Sequence, residues 1–134
     1  MKKAVAILCT RMTSERYPGK VLADLGGKSV LWNIVDRLRL VQGLSDIIVA
    51  TTTDKADDDI CREAVRMEVK TYRGSRDDVA ERMQGAINRH AWDADLVFRA
   101  LGDQPFLDWG ALQESIQLLQ AYPDWDFIVP LAFQ

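Results

Sequence analysis

Short apolar runs of strand length alternate with segments of helical period along this chain. The first run, from Ala4 to Leu8, is apolar at every position, which is typical of a strand covered on both faces of a sheet. Strands that alternate with helices indicate an α/β fold, with a mainly parallel sheet in a three-layer α/β/α arrangement. Four later apolar runs predict further strands, at residues 47–50, 69–72, 96–98 and 127–129.

The segments between these runs carry apolar residues at steps of three and four, as amphipathic helices do. Ser29 is placed to cap the first helix, and the acidic residues 57–59 suit the first turn of the second, where negative charge meets the positive end of the helix dipole. Asp77 is expected to cap the third helix, and residues 112–119 predict a fourth. The apolar face of the first helix is formed by Leu31, Ile34, Val35, Leu38 and Val41.

In a parallel sheet of this kind, ligands bind in the crevice beyond the carboxyl ends of the strands. The rule selects the loops that follow the first four predicted strands, which are also the most polar or unusual in the chain. We therefore expect any ligand site to be built from residues 9–20, 51–54, 73–78 and 101–105.

The loop after the first strand is rich in cations and hydroxyl groups. Arginine and lysine in such a loop can hold a polyphosphate, and small hydroxyl residues let backbone N–H groups approach phosphate oxygens. The spacing matches neither a dinucleotide-binding glycine motif nor a P-loop. Composition alone leaves a phosphate-binding loop and a solvated basic turn as alternatives. The side chains concerned are Arg11, Arg16 and Lys20, with Thr10, Thr13 and Ser14.

Two further loops carry candidate site residues. Asp103, in the Gly-Asp-Gln-Pro segment 102–105, lies where Mg²⁺ bridging two phosphates needs a carboxylate, although a simple Gly-Asp turn is the alternative. Ser75 is a candidate for contacts to a base or ribose. The threonines 51–53 favour strand and turn structure over a ligand site, and His90 favours a role at the end of a helix.

Composition limits the class of protein. A formal net charge of −3 argues against broad binding to nucleic acid or to an anionic membrane, and no stretch approaches the roughly 20 apolar residues of a membrane span. Cys9 and Cys61 have no metal-ligand spacing, which predicts a reduced, cytoplasmic protein. With 134 residues and no repeat or linker, residues 1–134 are expected to form a single domain.

Taken together, the loops resemble the cytidylyltransferase family that includes the spore-coat polysaccharide enzymes and the 3-deoxy-manno-octulosonate and acylneuraminate cytidylyltransferases. The first loop of that family runs Ala-Arg-x-x-Ser-x-Arg-x-Pro-x-Lys. Its places are filled here by Arg11, Ser14, Arg16, Pro18 and Lys20. The likeness continues in order through residues 25–28, 49–52, 58–59, 73–79 and 102–105.

The resemblance implies a Rossmann-like, glycosyltransferase-A-like nucleotide-diphospho-sugar transferase fold. It implies transfer of CMP from CTP to an acidic sugar, with release of pyrophosphate and dependence on Mg²⁺. Arg11 and Lys20 would contact the triphosphate as catalytic residues, and Asp103 would bind the metal. The implied nucleotide-binding residues are Thr10, Arg11, Ser14, Arg16, Lys20, Thr51, Gly74 and Ser75.

Members of this family usually continue well beyond the length of this chain, with a further half that carries most of the sugar pocket, the dimerisation element and a second metal carboxylate. Residues 1–134 would thus be the N-terminal nucleotide-binding part of a longer fold. Two hypotheses remain open: an active enzyme completed by a second subunit in a homodimer, and a catalytically inactive CTP-binding or structural remnant. A sugar-1-phosphate or cofactor nucleotidyltransferase is disfavoured, because residues 10–14 lack the glycines usual there. The homodimer would bury Trp125, Phe127, Leu131 and Phe133.

Overall fold

The computed structural model describes residues 1–13 and 16–129, which contain ten helices and strands. Two short 3₁₀ turns, at Lys20–Leu22 and Lys55–Asp57, lie between them. In chain order the elements are β1 (Ala4–Cys9), β2 (Asp24–Leu25), β3 (Lys28–Ser29), α1 (Val30–Leu38), β4 (Leu44–Thr52), α2 (Asp58–Arg66), β5 (Lys70–Gly74), α3 (Val79–His90), β6 (Leu96–Leu101) and α4 (Trp109–Ala121).

The sheet has the strand order β5-β4-β1-β6, and its neighbouring strands run parallel. β1 lies inside the sheet, where Ala6 is opposite Ile47 of β4 on one side and Phe98 of β6 on the other. Every residue of β1 is buried, as its unbroken apolar run predicts. A separate hairpin, β2–β3, turns through Gly26 and Gly27 before α1.

Helices cover both faces of the sheet. On one face, α3 packs through Ala86 against Val5 and Ile7. The other face carries α1, α2 and α4, which pack against residues of β1 and β4 in the second core cluster. The predicted three-layer α/β/α fold with a mainly parallel sheet is confirmed.

The helix starts follow local capping chemistry. The Ser29 hydroxyl accepts a hydrogen bond of 3.0 Å from the Trp32 backbone N–H at the start of α1, as predicted. The prediction that Asp77 caps the third helix is wrong. α3 begins at Val79, and Asp78 has the extended backbone of a cap and accepts from the Glu81 N–H at 3.0 Å. His90 ends α3, where its Nε2 lies 2.8 Å from the Thr71 carbonyl oxygen.

The predicted fifth strand at residues 127–129 is also wrong. Phe127 is 76% exposed, and the segment forms no ladder with any strand in the part of the chain that the structure describes. After α4 the chain turns, with the Trp125 N–H donating to the Tyr122 carbonyl at 3.0 Å and the two rings stacked. The strand preference of Phe-Ile-Val depends on packing beside a neighbouring strand, which this segment lacks.

Within residues 1–13 and 16–129, no helix is both long and apolar enough to cross a membrane.

Candidate functional site

A cavity of about 460 Å³ opens at the carboxyl ends of β1 and β6. This is the edge of the sheet at which the topology predicts ligand binding. Its lining includes six of the residues selected from the sequence: Thr10, Arg11, Thr13, Arg16, Lys20 and Asp103. Among the described residues that line it, five are cationic and Asp103 alone is acidic, so the cavity favours an anionic ligand.

The first loop and the end of β6 are brought into close contact. Lys20 Nζ lies 3.9 Å from Asp103 Oδ2, and both side chains remain partly exposed. A Cβ atom added at Gly102 would lie 2.3 Å from Thr10 Oγ1, so this approach requires glycine at position 102. An exposed ion pair of this kind is weak, and a phosphate or a metal ion can therefore compete for either partner.

The first loop is anchored at its base by a buried carboxylate. Asp57 is 1% exposed, and its Oδ1 accepts a 2.7 Å hydrogen bond from the Met12 backbone N–H. Its Oδ2 accepts from the Thr52 hydroxyl at the end of β4. Farther along the loop, the Gly19 N–H donates to the Met12 carbonyl at 2.8 Å, and Gly19 adopts a left-handed φ of 75°. These contacts fix the loop segment that presents Arg11 and Lys20. Ser14 lies outside the described residues.

Arg73 is committed to structural contacts. Its Nε donates to the Thr52 carbonyl at 2.7 Å, its Nη2 to the Asp54 carbonyl at 2.7 Å, and its Nη1 to Asp58 at 2.6 Å. This hydrogen bond holds the pKa of the Asp58 carboxyl below its ordinary value. Arg73 thus ties β5 to the loop after β4, which in turn carries Asp57.

Three predicted nucleotide-binding residues do not line the cavity. Thr51 is fully buried within β4, and its hydroxyl has no hydrogen-bond partner among the described residues. Gly74 lies so close to Tyr72 and Arg82 that a Cβ added there would be 2.8 Å from Tyr72 Cε1. Ser75 accepts at its hydroxyl from the Asp78 N–H, and at its carbonyl from Arg82 Nη1. Of these three, Ser75 is linked to a cavity residue by the hydrogen bond from Arg82.

Sequence reasoning missed two arginines of the cavity wall, Arg82 of α3 and Arg99 of β6. A signal was present for each. Arg82 follows Val79 by three residues on the apolar face of its helix, and Arg99 interrupts an otherwise apolar strand. Both lie near Cys9, whose thiol has a raised pKa because it is buried, although the two guanidinium groups act in the opposite direction.

The described cavity offers one carboxylate, Asp103, as a metal ligand. Within residues 1–13 and 16–129, no three His, Cys, Asp or Glu side chains come together to hold a metal ion by themselves. Mg²⁺, however, is often bound by only one or two carboxylates, with substrate phosphates and water completing its coordination. A single carboxylate, Asp103, beside phosphate-binding cations fits that mode of binding.

Comparison with known proteins identifies the family. The sequence model described as cytidylyltransferase matches residues 5–131. The chain belongs to the cytidylyltransferase family. A curated relative, the 8-amino-3,8-dideoxy-manno-octulosonate cytidylyltransferase of Shewanella piezotolerans, is 31% identical over 129 residues, which are 96% of this chain and 52% of the relative.

Two solved structures show the same fold. A cytidylyltransferase from Leptospira borgpetersenii is 27% identical, with a TM-score of 0.86 over 92% of this chain and 51% of that one. A CMP:2-keto-3-deoxy-manno-octonic acid synthetase solved with CTP is 23% identical, with a TM-score of 0.77 over 91% of this chain and 49% of that one. This chain therefore spans about half the length of these cytidylyltransferases, and the nucleotidyltransferase-like fold predicted from the sequence is confirmed.

Proposed function

We propose that this cytidylyltransferase-family chain binds CTP and transfers its CMP group to an acidic sugar, releasing pyrophosphate. The observation that carries the proposal is the cavity at the carboxyl ends of β1 and β6, where the cations of the first loop meet Asp103. The family match and the fold shared with a CTP-bound synthetase support the nucleotide. Residues 1–134 would be the nucleotide-binding part of the enzyme, since the relatives are about twice as long.

The proposed chemistry is a substitution at the α-phosphorus of CTP. A hydroxyl oxygen of the sugar forms a new bond to that phosphorus and gives up its proton to solvent. The bond from the α-phosphorus to the oxygen that bridges it to the β-phosphorus breaks, and pyrophosphate leaves with that electron pair. Arg11, Arg16 and Lys20 would hold the triphosphate and neutralise charge on the leaving group. The protein contributes mainly position and charge, because little covalent chemistry is required of it.

Asp103 is the proposed ligand of a divalent cation, Mg²⁺, whose remaining ligands would be phosphate oxygens and water. When bound, such an ion polarises the phosphoryl oxygens and offsets their charge. The segment of Gly74 and Ser75 remains the proposed contact to cytosine or ribose, supported by the hydrogen bond from Arg82 to the Ser75 carbonyl. A direct contact from Thr51 has no such support, because that side chain is fully buried.

CTP with Mg²⁺ should raise the melting temperature more than ATP, GTP or UTP does. A ligand that binds only the folded state stabilises it by about 2.7 kcal/mol when its concentration is a hundredfold above the dissociation constant. Differential scanning fluorimetry with each nucleotide at millimolar concentration measures the effect, and Mg²⁺ without nucleotide is the control. Absence of a shift with every nucleotide would remove the basis for the binding proposal.

Catalysis is tested separately, by pyrophosphate release from each nucleotide in the presence and absence of keto-sugar acids. Release that needs both CTP and a sugar acid is the expected result for an enzyme. The second candidate function is CTP binding without catalysis. It is favoured by the lone carboxylate of the described cavity, and CTP-dependent stabilisation without pyrophosphate release would establish it.

The chain should form a homodimer that buries its C-terminal segment. Several large apolar side chains after β6 are exposed, among them Phe106 at 73%, Phe127 at 76% and Trp125 at 47%. A monomer rarely leaves such a set in water, and closed two-fold assemblies are the commonest solution. Leu131 and Phe133, which the sequence adds to this set, lie outside the described residues. Light scattering at low micromolar concentration gives the mass, and a stable monomer with a cooperative melt would refute the dimer.

A further inference from the structure

Arg82 and Arg99 on the α3 side of the cavity have no part in the triphosphate site proposed above. Arg82 is only 3% exposed. Among the described residues, neither arginine lies within ion-pair distance of a carboxylate. Buried arginines are normally paired, because an unneutralised guanidinium is costly to remove from water. The cavity wall therefore holds a buried positive charge whose neutralising partner is missing.

The hydrogen bonds of Arg82 are incomplete. Its Nη1 donates to the Ser75 carbonyl at 3.2 Å, but its buried Nε has no acceptor in the part of the chain that the structure describes. The backbone of Gly74 packs directly against the same side chain, since a Cβ at that position would lie 3.3 Å from Arg82 Cγ. Arg82 is thus fixed in place before any ligand binds, with donor capacity left over.

Arg99 approaches the same place from β6. In the parallel ladder it lies opposite Ile7, while Leu101 lies opposite Cys9, and Ile7 and Cys9 both belong to the core cluster under α3. Arg82, Arg99 and Cys9 line the same cavity, so both guanidinium groups border one space beside the thiol. Unlike Arg82, Arg99 is exposed, so a ligand in the cavity can reach the pair.

Two guanidinium groups in the wall of one cavity suit a planar oxyanion, because each presents a rigid fork of donors that matches a carboxylate. The triphosphate already has the first-loop cations Arg11, Arg16 and Lys20. We propose that Arg82 and Arg99 bind the carboxylate of the acidic sugar and so make the site select sugar acids over neutral sugars. This inference rests on the proposed function, and it assigns the acceptor's charged group to two residues within this chain.

The test is isothermal titration of the chain with 2-keto-3-deoxy-manno-octonate, with the neutral carboxamide of that sugar, and with pyrophosphate, each with and without saturating CMP. The variants are Arg99→Gln, which changes an exposed side chain, and Arg82→Lys, which keeps the charge but removes the fork. Arg89→Gln, an exposed arginine near the end of α3 and outside the cavity lining, is the matched control.

We expect the wild-type chain to bind the sugar acid more tightly than its carboxamide. Arg99→Gln should weaken binding of the acid by about 10- to 150-fold, the range of a charge-assisted hydrogen bond, and leave the carboxamide and pyrophosphate unchanged. Arg82→Lys should act in the same direction, and Arg89→Gln should have no effect.

The assignment is overturned if the wild-type chain does not distinguish the acid from the carboxamide, or if both variants bind the acid normally. It is also overturned if the two variants lose affinity for pyrophosphate and keep their affinity for the acid, since the arginine pair would then belong to the triphosphate site. If the chain bound the acid through these arginines but bound no CTP, the proposed function would fail although the carboxylate contact was measured, so the two failures can be told apart.

Discussion

Replacing Lys20 with alanine should weaken CTP binding by about 10- to 150-fold while leaving the fold intact, and Arg11→Ala should act similarly. Charge-assisted hydrogen bonds contribute about 1.5–3 kcal/mol each, and both side chains line the cavity at the carboxyl ends of β1 and β6. The folded state should lose little, because the Lys20–Asp103 ion pair is partly exposed and such pairs contribute at most about 1 kcal/mol. Isothermal titration with CTP and Mg²⁺ measures the affinity, and thermal melts without ligand report the fold.

The control for this experiment is Lys70→Ala. Lys70 begins β5, at the end of the sheet away from the cavity, and pairs with Asp46 on the surface. The Lys70→Ala substitution removes the same charge from the chain without changing the site. If Lys20→Ala and Arg11→Ala bound CTP as tightly as Lys70→Ala does, the first loop would be a solvated basic turn and not a phosphate site.

Asp57→Ala should lower the free energy of unfolding by about 2–4 kcal/mol and also weaken CTP binding. The substitution leaves two donors, the half-buried Met12 N–H and the buried Thr52 hydroxyl, without their acceptor. Each unsatisfied buried donor costs about 1–3 kcal/mol. The ligand effect follows because Met12 immediately follows Arg11, so the lost hydrogen bond frees the segment that presents this cation. Urea denaturation and CTP titration measure the two effects.

Asp57→Asn is the matched variant for that experiment. Its side-chain oxygen can still accept from Met12, and its shape is retained, so it should lose clearly less stability and less CTP affinity than Asp57→Ala. Equal losses in the two variants would mean that the charge of Asp57, and not its role as a hydrogen-bond acceptor, holds the loop. Unchanged CTP affinity in Asp57→Ala, at a temperature where it remains folded, would show that the anchor does not position the site.

Local chemistry explains why much of the fold could be predicted from sequence. β1 is apolar at every position because both its faces are covered, and Ser29 can cap α1 whatever the surrounding structure. The site position followed from topology, since the loops after parallel strands meet at one edge of the sheet. The strand predicted at residues 127–129 was wrong because a local strand preference had no neighbouring strand to pair with. Phe127 to Val129 have strand-forming side chains, but no strand lies beside them in the described structure.

Tertiary structure alone decided the details of the candidate site. In the sequence, Asp57 is one of three acidic residues at the start of a helix. The fold buries it, and its carboxylate anchors the first loop through Met12, 45 positions earlier in the chain. Arg82 and Arg99 lie 17 residues apart in the sequence, and they line one cavity because α3 packs over the strand that carries Cys9. The sequence by itself determined the α/β class, the family and the cationic first loop, because these depend on composition and order along the chain. Only the packed structure determined which charges are buried and converge, because burial depends on neighbours that sequence spacing does not specify.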